Sequence, residues 1–185
     1  MSPAAEIEIE KGGNRRSAAR LAAVQALYEM DMVDADADAV LEEFLSKRWG
    51  GVDSSGQSDA KTPEISDALA AYLDDDEEAA SVEDAPMVEP DREWLGDLVH
   101  GVAANRDELD ALIAPALSGK WTLDRLETLI RVILRAATFE LNSKPSVPAG
   151  VIINEYLDVA HAFFEGPETG LVNGVLDKLA QDLRS

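Results

Sequence analysis

The chain has 185 residues, 46% of them hydrophobic, and a formal net charge of −21 from 16 Lys+Arg against 37 Asp+Glu. That length suits one domain, or one domain with an appendage, and the charge excludes non-specific attraction to nucleic acid over the molecule as a whole. The absence of cysteine excludes disulfides and thiolate metal sites, and no apolar run approaches the roughly 20 residues that span a bilayer, so a cytoplasmic protein without membrane contact is expected.

Residues 1 to about 14, with Gly12-Gly13 near their end, carry no apolar signal region and read as a flexible tail. Residues 11–20 hold Lys11, Arg15, Arg16 and Arg20 and no acid, a basic arm on an acidic chain. A helix is expected from Ser17, a good N-cap type, to about Met32, with Leu21, Val24, Leu27 and Tyr28 on one face. A second helix covers about Asp38 to Arg48, with Val40, Leu41, Phe44 and Leu45 as its apolar side and Gly50-Gly51 as its stop. Residues 50–90 read as an insertion, polar and breaker-rich at first, with one short helix over Ile65–Leu73 and then a solvated acidic run. Residues 53–93 hold 14 acids and 2 bases, more than half of the total imbalance.

From Pro90 onward the pattern is densely helical. Asp91 is placed to cap a helix whose stripe, Leu95, Leu98, Val102, Leu109 and Leu112, runs unbroken to about Ala114. A short turn begins at Thr122, with Asp124 in it. Leu126 to Leu141 is apolar on more than one side and reads as the central buried helix. Val151, Ile152, Tyr156, Val159 and Phe163 form the next stripe, stopped by Gly166-Pro167. Thr169 is a candidate cap for the last helix, with Val172, Val175, Leu176, Leu179 and Leu183 facing inward. The pattern predicts an all-α fold, a helical domain over 15–184 with 50–90 as its insertion, and no internal repeat.

Catalytic chemistry is hard to find. His100 and His161 are the only histidines, neither in a metal-binding pair, and His161 is expected to be a partly buried structural residue. Ser118-Gly119-Lys120-Trp121 superficially resembles a phosphate loop, but Ala114 stands where its first glycine is needed and Trp121 where a hydroxyl must meet magnesium. The acids from Asp74 to Glu78 read as a solvated linker rather than a cation site. We therefore expect no enzyme, no cofactor and no metal. The basic arm is the one functional candidate. Arg16 and Arg20 lie one turn apart, and arginine both binds phosphate and stacks on unpaired bases. Pairing of the same arginines with Glu8, Glu10 or Glu29 is the equally weighted alternative.

Several motifs in order carry a resemblance. Ala23-Val24-Gln25-Ala26-Leu27-Tyr28 follows the basic arm. Val99-His100-Gly101-Val102-Ala103 comes next, then Leu134-Arg135 with Glu140-Leu141 on the central helix. Val147-Pro148-Ala149-Gly150-Val151-Ile152-Ile153-Asn154-Glu155 and Val172-Asn173-Gly174-Val175-Leu176-Asp177-Lys178 complete the set. Together they resemble the NusB family over roughly residues 15–48 and 91–184. The resemblance implies two small helical bundles of about seven helices, with a flexible acidic insertion. It implies binding of boxA-type single-stranded RNA with the ribosomal protein NusE, within the RNA polymerase antitermination complex, and is compatible with a homodimer. Carried over by position, the RNA contacts would be Arg15, Arg16 and Arg20 in the arm and Thr169, Gly170 and Leu171 before the last motif; NusE would meet the central and following helices. The chain departs from the pattern at Gly170-Leu171, where some members have Lys-Phe, at Ser17, which interrupts the arginines, and in the long acidic insertion. Asn154, Glu155, Asn173 and Asp177 are expected to cap or cross-link helices rather than form an interface, and Gly174 to let two helices approach closely. A methyltransferase fragment is disfavoured, because the chain has no Rossmann glycine motif and no cysteine nucleophile.

Overall fold

A computed structural model describes residues 3–49 and 88–184, with side chains for 13–47 and 88–184. Among these residues seven α-helices occur: α1 Pro3–Val33, α2 Ala37–Trp49, α3 Arg92–Ala104, α4 Arg106–Ile113, α5 Thr128–Ser143, α6 Ala149–His161 and α7 Pro167–Arg184. Two 3₁₀ turns, Ala114–Ala116 and Leu123–Arg125, join α4 to α5. The expected short helix over Ile65–Leu73 lies outside the described residues.

α1 starts at Pro3, not at Ser17, and runs through the segment read as a tail. Ser17 is no cap: its hydroxyl donates to the carbonyl of Gly13 one turn back, at 3.1 Å, a bond compatible with a helix interior. The apolar face also differs from the expected stripe. Leu21 is 37% exposed and Tyr28 is half-buried, whereas Ala19, Ala22, Ala23, Val24, Ala26, Leu27 and Met30 are buried. The inward face is mostly alanine, which brings the backbones of α1 and its neighbours close. Asp34, at φ 52°, closes α1 in the left-handed region that Asp tolerates better than most residues. The Asp36 carboxylate then accepts from the Asp38 N–H and starts α2.

The expected continuous helix after Pro90 is two helices. Asp91 caps α3 as predicted, accepting from the Trp94 N–H at 3.1 Å. α3 stops at Asn105, whose backbone N–H and side-chain amide both donate to the Gly101 carbonyl, at 3.2 and 2.8 Å. These two hydrogen bonds satisfy the carbonyl within the turn and let the chain restart as α4 at Arg106.

α1, α2 and α3 pack on one another as one bundle, and α4 to α7 form the second. α5 is the shared core, with α1, α3, α4, α6 and α7 all packed on it. This explains why Ile130, Val132, Ile133, Leu134, Ala136, Ala137 and Leu141 are buried around more than one side of that helix. The close approach in the fold is at Gly101, where an added Cβ would overlap the Phe139 ring of α5. Gly174 faces open space and is exposed, so its expected packing role is not found. Val151 is also on the outside, 46% exposed; α6 faces inward with Ile152, Ile153, Tyr156, Val159 and Ala160.

The C-terminal end of α5 is closed from outside the helix. Arg184, at the end of α7, donates to the carbonyls of Glu140, Leu141, Lys144, Pro145 and Val147 at 2.5–3.4 Å. A cation suits the negative end of the helix dipole and adds side-chain donors to the carbonyls of its last turn and of the turn beyond it.

Candidate nucleic-acid interface

The arm divides on α1. Arg15 and Arg16 are exposed, while Arg20 is 3% exposed and turned into the core. Arg20 Nε donates to both oxygens of Glu140 at 3.0 and 3.2 Å, Nη2 donates to Glu140 Oε1 at 2.5 Å, and Nη1 donates to Glu155 Oε2 at 3.1 Å. The Tyr156 hydroxyl donates to the second Glu140 oxygen at 3.1 Å. One arginine of α1 is thereby bound to α5 and α6. Burial opposes its charge, but the hydrogen bond and charge of Glu140, with Tyr156 and Glu155, hold its pKa above the ordinary arginine value. Arg20 has no guanidinium edge left for RNA, and its place in the expected contact set is corrected: it is a structural ion pair. Of the two readings weighed for this arginine, pairing with an acid is the one found, and the acids are Glu140 on α5 and Glu155 on α6.

The other polar residue of the central-helix motif behaves alike. Arg135, 6% exposed, makes a two-pronged bond to Asp110 of α4, both contacts at 2.7 Å, and a 3.0 Å bond to Asp31 near the end of α1. Arg106 also pairs with Asp31. The Leu134-Arg135 and Glu140-Leu141 elements are thus the places where α5 is tied by charge to both bundles. Of the four polar motif residues expected to cross-link the fold, Glu155 does so; Asn154, Asn173 and Asp177 are exposed. His161 is exposed as well, not partly buried as expected. His100 is half-exposed and bonds to Asp38 at 2.7 Å.

Arg16 has a well-defined setting. Its guanidinium lies over the Trp94 ring of α3 at 4.5 Å from the centroid, and the Asp91 carboxylate is 4.0 Å away. Trp94 also receives Lys144, from just beyond α5, at 4.8 Å, and Arg20 from the core side at 5.8 Å. Lys144 Nζ bonds to Asp97 at 2.6 Å. The Asp91 N–H donates to the Arg15 carbonyl at 3.0 Å, so the start of α3 is pinned to α1 at the arm itself. The Trp94 indole N–H is buried and has no hydrogen-bond partner among the described residues. An unpaired buried donor costs about 1–3 kcal/mol; the contacts the indole makes to cations are through its ring face. Neither Trp94 nor Lys144 stands out in the sequence, because each is separated by many residues from the arm it meets.

The second expected contact set sits in the first turn of α7. The helix begins at Pro167, favoured at that position, so Thr169 lies inside it and is not the cap; its hydroxyl donates to the Gly166 carbonyl at 3.2 Å. Gly170 is exposed with open space beyond it, and Leu171 is half-buried against the core. α5 and α6 each pack against both α1 and α7, and they lie between the two sets. Among the described residues no group of three or more His, Asp or Glu could hold a metal ion, and no helix is long and apolar enough to cross a membrane.

The family model described as the NusB family matches residues 55–181. The transcription antitermination protein NusB of Sphingopyxis alaskensis is 37% identical over 176 residues, covering 95% of this chain and 99% of that protein. Among solved structures, T. maritima NusB superposes with a TM-score of 0.61 at 26% identity, covering 90% of this chain and 91% of that one. A structure of antitermination factors NusB and NusE in complex with double-stranded RNA also gives a TM-score of 0.61, at 20% identity over 90% of this chain and 96% of that chain, a likeness of fold.

Proposed function

Since the chain belongs to the NusB family, we propose that it acts in the cytoplasm as a transcription antitermination factor. In this reading it binds boxA-type single-stranded RNA together with the ribosomal protein NusE and joins the RNA polymerase antitermination complex. It is a binding protein, without catalysis or cofactor. The observation that carries the reading is the 37% identity to a transcription antitermination protein along almost the full length of both chains. The RNA contacts we assign to it are Arg15, Arg16, Thr169, Gly170 and Leu171; Arg20 is left out because its guanidinium is buried against Glu140.

The test is fluorescence anisotropy of a labelled boxA-type RNA, titrated with the protein alone and with NusE, at two salt concentrations. Selective binding that tightens with NusE is expected. On single-stranded RNA the affinity should fall with salt with a log-log slope of about −0.7 per neutralised phosphate. Changing Arg15 and Arg16 together to alanine should remove about −1.4 of that slope while helix content stays the same. Absence of RNA binding with and without NusE would overturn the reading. A second reading, an interaction module of the same fold with weak or lost RNA binding, draws on the burial of Arg20, which halves the charge that the motif's arginine pair would present. Retained NusE binding with no RNA binding is the result that would favour it.

A further inference from the structure

Two exposed or partly exposed cations from distant parts of the chain meet at one aromatic ring. Arg16 is in the arm; Lys144 follows α5; Trp94 is in the first turn of α3. Both cationic heads lie within 5 Å of the ring centroid, Arg16 at 4.5 Å and Lys144 at 4.8 Å. Their separation cannot exceed the sum of those distances, a span that neighbouring phosphates of one extended strand can bridge. The Arg16 side chain is 49% exposed and its carboxylate neighbour is at the outer limit of an ion pair, so among the described residues its N–H groups are largely unspent. Lys144 has three donors and, among the described residues, one carboxylate partner, Asp97, itself half-exposed. The indole that holds them leaves its own N–H unpaired, and Arg20, locked by Glu140, backs the ring from the core.

We propose that Trp94 is a positioning residue of the RNA surface and that Lys144 is a phosphate contact on it. The RNA track then runs from Arg15 and Arg16 across the edge of α3 to the end of α5. The ring keeps two flexible side chains extended in place, so less freedom is lost when phosphate binds. This inference rests on the RNA-binding reading above, and its test separates the two.

The full-length chain is titrated against the labelled single-stranded boxA-type RNA across a salt series, as wild type and as Lys144→Gln, Trp94→Phe and Trp94→Leu. Lys144→Gln should reduce the magnitude of the salt slope by about 0.7, one phosphate's worth. Trp94→Leu should weaken RNA binding about tenfold, and Trp94→Phe, which keeps a ring face, should restore most of it. NusE affinity should be the same for all four proteins. An unchanged slope and affinity in Lys144→Gln overturns the proposal, as does equal RNA binding by the leucine and phenylalanine variants. Should Trp94→Leu fail to fold, the lysine variant and the phenylalanine variant still decide it. If the wild type binds RNA and loses it on Arg15/Arg16 replacement but not on Lys144 replacement, only this inference falls. If the wild type binds no RNA, both fall.

Discussion

Removing the Glu140 carboxylate would leave Arg20 charged and buried, with Glu155 as its one carboxylate partner among the described residues. A buried charge stripped of its partner is costly, so Glu140→Ala should destabilise the fold by about 3–5 kcal/mol in urea unfolding. Replacing the pair together, as Arg20→Met with Glu140→Leu, should cost less than the sum of the single changes, because neither charge is then orphaned. Additive costs would mean that the two residues are not coupled. Tyr156 gives the same cluster a pH signature. Burial, then the charge of Glu140, pushes its pKa well above 10. The unfolded tyrosine titrates near 10, so the protonated form is favoured by folding. That contribution is intact below about pH 10 and is lost as pH rises through the folded value. Tyr156→Phe should therefore flatten the alkaline fall in stability while costing about 1 kcal/mol at neutral pH for the lost hydrogen bond. An alkaline limb of unchanged steepness would remove Tyr156 from the explanation.

At the scale of helices, the glycines of two of the motifs should respond in opposite ways. Gly101→Ala puts a methyl into the Phe139 ring between α3 and α5 and should destabilise by about 1–3 kcal/mol through overpacking. Gly174→Ala meets nothing within 4 Å on an exposed helix surface and should stabilise by about 0.5–1 kcal/mol through helix propensity. Thermal midpoints of the two variants would show it, and a loss of stability in both would mean that α7 is packed more tightly than described. The same contrast shows what the sequence could tell. Leu95, Leu98, Leu134, Val172 and Leu176 were legible as core from spacing alone, and the capping role of Asp91 from its position. Gly101 and Gly174 look alike in sequence, because only the helix lying opposite decides whether a missing side chain is required. The arginines failed for a related reason. A four-residue step places Arg16 and Arg20 on one side of α1 but not on one depth, and the acid that holds Arg20 is 120 residues away. The alanine face of α1 escaped the stripe for lack of large apolar residues. The break at Asn105 was hidden because its bond to Gly101 leaves the apolar spacing nearly undisturbed.

Over the whole molecule, an RNA-binding surface of a few cations has to work on a chain of net charge −21. The cations at that surface are themselves shadowed by Asp91 and Asp97, so their pull on RNA is short-ranged, and the wider field of the chain repels a polyanion. Residues 53–87 carry 11 acids and 1 base, close to half of the excess. Their effect on RNA binding is a question of range. Charges more than about 10 Å away are largely screened at 0.1 M salt, but at 0.01 M the range grows to about 30 Å. Replacing 53–87 with a neutral linker of equal length should therefore tighten RNA binding several-fold at low salt and leave it nearly unchanged at high salt. NusE affinity, measured on the same variant, controls for loss of the fold. A gain that persists at high salt would mean that the segment competes directly for the Arg15 and Arg16 surface rather than acting through its field. No gain at any salt would place its charge beyond reach of the bound RNA, leaving the local pairing of Arg16 and Lys144 as the control on affinity.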